Sequence, residues 1–432
     1  MQTRLALAAC LAAMTLPLAA IGFAQVASDD GDLSLFAYGS ARFTGAYLHY
    51  PESGGLYPDR DDALTSTLVR LMIDGDLGQA TRYELNLYGA LSRAPAGAGT
   101  GAFATAASAR TPYRARHLRW DYWRGGDVAG RLGVDRAVVS FDWRPVGLSV
   151  GRMPVNHSLT DVFAPNDFFA PFSATAINTD YKPGVDALRL RIETGPLSGV
   201  ELDAVLGSDD GGRPDWGRSA VLAQMRTVVL GVELGLLGGA VAERWVAGAS
   251  LQGEAGGFGL RAEGHLGFAD LDHDFALDDR DGDGRRRDEL HARLSVGLER
   301  MFPWRNAVVA VEYAYLSDGE DEPALYLARA DGFYPDDPAW LGRHYGALSA
   351  GLELIPILNA SALAIVNLED GSGLAVASLV YSIADEAEAA AGVLAPWGHR
   401  SQPGDTALDP PRVRSEMGLY PLTAFLETRF YF

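Results

Sequence analysis

The 432-residue chain has one cysteine, one lysine and, after its first twenty residues, no long hydrophobic run. Each lack excludes something. The cysteine, Cys10, lies in the N-terminal apolar run, so past it the chain can build no disulfide, thiolate metal site or cysteine nucleophile. Leu7-Ala-Ala-Cys10 has the form of a lipobox. The apolar stretch before it is shorter than the roughly 7–15 residues of a signal core, so Cys10 reads as ordinary signal sequence. Beyond Ala20 nothing approaches the roughly 18 apolar residues of a spanning helix. Positive charge is also short: the net charge is −20, which excludes nucleic acid as a partner, because such binders carry basic patches. Of the 36 basic residues only Lys182 is lysine, a bias that genomic base composition explains.

What is present is apolar and aromatic. Hydrophobic residues make up 48 %, with 50 glycines, 17 tyrosines, 17 phenylalanines and 8 tryptophans. Met1-Gln-Thr-Arg4, the apolar stretch Leu5 to Ala20 and the small residues Gly22 and Ala24 predict a cleaved signal peptide over 1–24. An exported chain of this composition has to place its apolar residues somewhere other than in membrane helices.

The pattern says where. Leu260, Ala262, Leu266 and Phe268 alternate with Arg261, Glu263 and His265; Ala292, Leu294, Val296 and Leu298 alternate with His291, Arg293, Ser295 and Glu299. The same period of two runs through Tyr83 to Leu91 and Leu348 to Leu354, so these are strands with one apolar and one charged face. Connections between them alternate short and long. Gly78-Gln-Ala80, Trp143-Arg-Pro145, Leu230-Gly231, Gly256-Gly257 and Pro356-Ile357 are tight, whereas 50–62, 94–130, 156–184 and 317–343 are long. That is the pattern of a transmembrane barrel, with short periplasmic turns and long outer loops. The expectation is an all-β, antiparallel up-and-down barrel over 25–432, of about 18 strands (16–20). His117 to Trp123 reads as a hairpin or a strand extension, and Glu386 to Ala391 locally passes for helix.

Two stretches stand out. The last, 415–432, places Leu422, Ala424, Leu426, Phe430 and Phe432 on one face and stops at an aromatic residue. It resembles the C-terminal signal that the barrel-assembly machinery recognises, with Phe430 and Phe432 carrying it. The other is the third outer loop, 155–184, rich in proline and phenylalanine between two alternating runs. Long loops without structure of their own are usually functional, and this one is expected to fold into the lumen and narrow it. Val150-Gly-Arg-Met153, Phe163-Ala-Pro-Asn-Asp-Phe-Phe-Ala-Pro-Phe172 and Tyr181-Lys-Pro-Gly-Val-Asp-Ala-Leu188 together resemble a recurring segment of porin-like outer-membrane proteins of Gram-negative bacteria. The resemblance implies passive or weakly selective diffusion of ions or small hydrophilic solutes and names no solute. The alternative is a plugged barrel serving as surface scaffold or adhesin.

Candidate constriction residues are Asp161, Asp167, Asp180 and Lys182 on the loop, with Arg189 and Arg191 on the wall. Opposed charges across a narrow passage tune ion selectivity; the bland reading is that they only pin the loop. Phe163, Phe168, Phe169 and Phe172 read as the loop's own packing. Within the outer loop 271–289, Asp279, Asp281 and Asp283 begin a calcium-site pattern, but Leu290 stands where the twelfth-position glutamate belongs and Arg285 to Arg287 oppose a cation. Gly147-Leu-Ser-Val-Gly151 matches a nucleophile elbow formally, yet lies inside an alternating strand where the motif needs a strand-to-helix turn, so no enzyme is expected. Membrane lipid and lipopolysaccharide are the expected surroundings, and the Gly/Ala-rich strands, such as 247–253 and 360–364, allow a homo-oligomer.

Overall fold

The computed structural model describes residues 24–27, 33–52, 60–93, 112–171, 181–209, 211–242, 244–270, 290–326, 340–402 and 412–432. Before the long loop the strands are β1 (Ala24–Ala27), β2 (Ser34–His49), β3 (Asp61–Leu77), β4 (Thr81–Arg93), β5 (Arg119–Gly125), β6 (Val128–Trp143) and β7 (Val146–Met153). After it come β8 (Val185–Gly195), β9 (Ser198–Val205), β10 (Ala220–Val229), β11 (Val232–Val241), β12 (Arg244–Ala255) and β13 (Phe258–Asp270). The last seven are β14 (His291–Phe302), β15 (Ala307–Leu316), β16 (His344–Ile355), β17 (Leu358–Asn367), β18 (Gly373–Ala384), β19 (Ala387–Trp397) and β20 (Leu422–Tyr431).

All strand pairings are antiparallel; successive strands pair, except that β4 pairs with β6 across β5, and β20 pairs back onto β2, closing the ring. Two strands stand outside it. β1 lies along the start of β2, and β5 hairpins onto the outer part of β6, whose other half pairs with β7. The barrel itself therefore has eighteen strands, as the spacing of the connections predicts. An even count brings both ends of the ring to the same rim, where Gly39 and Phe432 exchange backbone hydrogen bonds of 2.5 and 3.0 Å. Gly39 is required there, since a Cβ would sit 2.2 Å from the Phe432 ring. At this rim the turns are tight. Leu230 and Gly231, and Gly256 and Gly257, all have positive φ, the conformation of the primed turns that match strand twist.

The two faces of the wall divide by polarity. Leu260, Leu266, Leu294, Val296, Leu298, Leu348 and Leu426 are exposed, while Glu263, His265, Arg293, Ser295, Glu312 and Glu427 are buried. An apolar outside around a polar inside reverses the arrangement of a water-soluble fold and suits a barrel standing in hydrocarbon. His117 to Trp123 resolves into a single turn, Arg116–Leu118, followed by β5. The helix-like stretch after Glu386 is strand instead: β19 is hydrogen-bonded on both sides, to β18 and β20, and that context overrides alanine's local preference. The end segment expected over 415–432 forms its strand over Leu422–Tyr431, after a turn at Met417–Leu419.

Candidate pore constriction

The third outer loop leaves the wall at Met153 and rejoins it at Val185. Its base is clamped by Arg152, whose guanidinium donates to both carboxylate oxygens of Asp186 across the two legs, at 2.7 and 2.8 Å. It also reaches the carbonyls of Val134 (2.8 Å) and Ala115 (3.2 Å), so four segments meet on one buried side chain.

From there the loop is held against the inner face by two wall carboxylates. Glu263 on β13 accepts hydrogen bonds from the backbone N–H of Leu159 (2.8 Å) and Thr160 (3.3 Å), from the Thr160 hydroxyl (2.5 Å), the Ser158 hydroxyl and Asn166 Nδ2 (3.4 Å). Glu312 on β15 accepts from the N–H groups of Asp161 (3.1 Å), Val162 (3.2 Å) and Phe163 (2.8 Å). Both carboxylates are buried, and charge-assisted acceptors of several N–H groups are the strong kind of hydrogen bond. Residues 158–163 are thereby fixed far around the ring from the strands that carry the loop.

Apolar anchors finish the attachment. Phe163 packs 5.2 Å from Trp340 and 5.9 Å from Tyr345, in a core that includes Leu48, Leu64, Ile365, Leu394 and Phe425. Phe168 and Phe169 enter a second core with Tyr113, Met153, Val205, Leu222 and Val246. These phenylalanines are packing residues, as expected. On the returning leg Tyr181 lies between two guanidiniums, Arg70 at 4.0 Å and Arg136 at 4.3 Å from its ring, and its hydroxyl accepts from Asn86 Nδ2 at 2.8 Å.

The candidate charges fall into separate places. Asp161 leaves 69 % of its side chain exposed and bonds Arg261 on β13 (2.6 Å), which also reaches Glu299 (3.2 Å). Asp167 and Lys182 bond each other inside the loop, both nearly buried. Arg189 and Arg191 do line the inner face of β8, yet they pair with Asp203 (2.7 Å) and Glu201 (2.8 Å) on the adjacent β9 and not with the loop's acids. Asp180 and Phe172 lie outside the described residues, as do Asp279, Asp281 and Asp283. Glu263, Glu312, Arg261, Arg70 and Arg136 all contact the loop, and the sequence shows them only as polar residues in inward phase.

Two further groupings have chemistry to weigh. The ligand atoms of His157, Glu201 and Asp203 lie within 4.8 Å of one another. The guanidiniums of Arg189 and Arg191 already neutralise both carboxylates, so a cation would have to displace them. His157 serves instead to fasten the loop, with Nδ1 3.1 Å from Gln224 Oε1 and Nε2 3.2 Å from Asp203. Ser149, the serine of the elbow-like pattern, sits in mid-strand on β7, with its hydroxyl 2.8 Å from that of Ser140.

No family model matches the chain, and no curated protein matches it. Solved structures do. A BenF-like porin from Pseudomonas fluorescens Pf-5 superposes with a TM-score of 0.56 at 10 % identity, over 95 % of this chain and all (100 %) of that one. OccK2 (OpdF) of Pseudomonas aeruginosa gives 0.53 at 11 % identity, over 92 % and 97 %. OccD3 (OpdP) of the same organism gives 0.51 at 10 %, over 95 % and 93 %. At such identities the likeness speaks for the fold, and it extends over more than nine-tenths of the chain: the closed eighteen-stranded barrel of the porin type.

Proposed function

We propose that the protein is an outer-membrane channel, exported by way of a cleaved signal peptide over 1–24, through which ions or small hydrophilic solutes diffuse. The observation that carries this is the attachment of the third loop: a segment held to the inner wall by Glu263 and Glu312 narrows a lumen without needing to fill it. The polar inner face and the exposed apolar outer face supply the wet path and the lipid contact that such a channel needs. The likeness to a BenF-like porin agrees with this reading. Around the loop, selectivity would be set by Asp161, Glu299 and Arg261 on one side and by Arg191 with Glu201 on another.

The test is conductance of the refolded chain in a planar bilayer, with the reversal potential read under a salt gradient. Stable unitary steps are the expected result. Stable insertion with no current would leave a plugged scaffold barrel as the better account.

A further inference from the structure

The loops at the outer mouth enclose a buried carboxylate. Glu416 precedes the turn Met417–Leu419 and is 2 % exposed. One of its oxygens accepts from Tyr345 Oη (2.5 Å) and Asn367 Nδ2 (2.8 Å), and the other from the N–H of Leu341 (3.2 Å). Its own N–H donates to Asp370 (2.8 Å), and that of Met417 to Ser372 Oγ (3.1 Å). Asn367 also donates to Tyr326 Oη at 3.0 Å. The end of one outer loop, the start of β16, the β17–β18 turn and the final loop therefore converge on a single side chain. Tyr326, Tyr345, Asn367, Ser372, Ser415 and Met417, all wholly buried, surround it.

Every donor to Glu416 is neutral. Among the described residues, the charged groups on the elements packed around it are engaged elsewhere or exposed. Arg343 pairs with Asp321 (3.2 Å), His344 lies 3.8 Å from Glu369, and Arg400 reaches Glu52 (3.7 Å). His399, Arg412 and Arg414 are exposed, Glu322 is exposed, and Glu320, though buried, is an acid. Asp370, which bears on Glu416 directly, is a second carboxylate. A buried charge with no cation beside it is costly, so the closed arrangement favours the neutral acid, which keeps an acceptor oxygen and gains an O–H donor. Burial pushes the Glu416 carboxyl up to about 7 against the pull of its donors, with Asp370 adding to the rise.

The cluster also touches the constriction. Tyr345 stands 4.9 Å from Trp340 and 5.9 Å from Phe163, the residue whose N–H is bound to Glu312. We propose that Glu416 is a protonation-operated latch: as the neutral acid it fastens the outer loops together and, through Tyr345 and Trp340, to the loop inside the lumen, and as the carboxylate it lets them part. A raised folded value means that the latch is fully shut below the ordinary glutamate range and is released as pH rises through about 7.

Trp340 emission reports the latch directly and does not depend on conduction. It is measured as the difference between the refolded wild-type chain and Trp340→Phe, from about pH 5 to about pH 9. The expected result is a red shift with a midpoint at about 7, absent in Glu416→Gln, whose emission stays at its acid-side position. Tyr345→Phe removes a donor to the carboxylate and moves the midpoint to higher pH. A flat wild-type signal overturns the proposal, as does a Glu416→Gln protein with the wild-type midpoint. If Glu416→Gln loosens the loops at every pH, an unmoved midpoint in Tyr345→Phe overturns it and an upward shift supports it. A barrel that titrates at Trp340 but carries no current keeps the latch and removes the channel reading.

Discussion

Glu263 and Glu312 are ordinary inward-facing glutamates by position, and each becomes an acceptor for consecutive N–H groups of a segment that arrives from more than a quarter of the ring away. Removing such an acceptor leaves buried donors unsatisfied, at roughly 1–3 kcal/mol for each group. Glu312→Ala is therefore expected to free Asp161 to Phe163 from the wall while the barrel still assembles. Single-channel recording should show an altered unitary current and several-fold more open-channel noise; currents indistinguishable from wild type would mean that the aromatic anchors suffice. Asp161 differs because most of its side chain is exposed, so its charge acts on the passage more than on the fold. Asp161→Asn leaves Arg261 with Glu299 alone, and the reversal potential in a salt gradient should move toward anions. No shift would place Asp161 away from the ion path.

At the scale of elements, the loop depends on how β7 delivers its base. Gly151 has φ +131°, and a Cβ there would lie 2.1 Å from the carbonyl oxygen of Ala137 on β6. This distortion presents Arg152 to Asp186, Val134 and Ala115 together. Gly151→Ala has to move backbone, at a cost of about 1–3 kcal/mol, and should lower the temperature at which the barrel loses its compact electrophoretic mobility; an unchanged transition would show that β6 yields freely. The strand containing Gly151 was readable from sequence, because a period of two survives wherever one face meets lipid and the other water. So were the tight turns, the long loops and the aromatic end of the chain. The loop's attachments were not. Leu159 bonds to a residue 104 positions away and Phe163 to one 149 away, and nothing local distinguishes Glu263 or Glu312 from other inward residues. Arg189 and Arg191 read from sequence as a basic wall, and what the sequence does not show is that their register partners Asp203 and Glu201 answer them across one pair of strands.

For the whole molecule, closure is the property on which the rest depends. A sheet in hydrocarbon cannot leave an edge, since each unpaired backbone group there costs several kcal/mol. The seam between β2 and β20 is where the ring could fail, because it joins the two ends of the chain. It runs from His49–Leu422 to Ser40–Tyr431, reinforced by Thr44 donating to Glu427 at 2.7 Å and by the edge contact of Phe43 with Phe430 at 6.3 Å. The last three residues complete it. They pair with Gly39, Ser40 and Ala41 on one side, and on the other Phe430 pairs with Ala387 while the Tyr431 N–H reaches the Glu386 carbonyl. Deleting Phe430, Tyr431 and Phe432 strips partners from both neighbouring strands at once, a cost of at least ~4 kcal/mol by the same reasoning and hence a factor of a thousand or so in the closed population. The truncated chain should therefore fail to give the compact, heat-modifiable band on refolding into lipid, even without assembly machinery. Recovery of that band at wild-type yield would show that the first eight pairs of the seam hold the ring by themselves, leaving the terminal aromatics as a recognition signal alone.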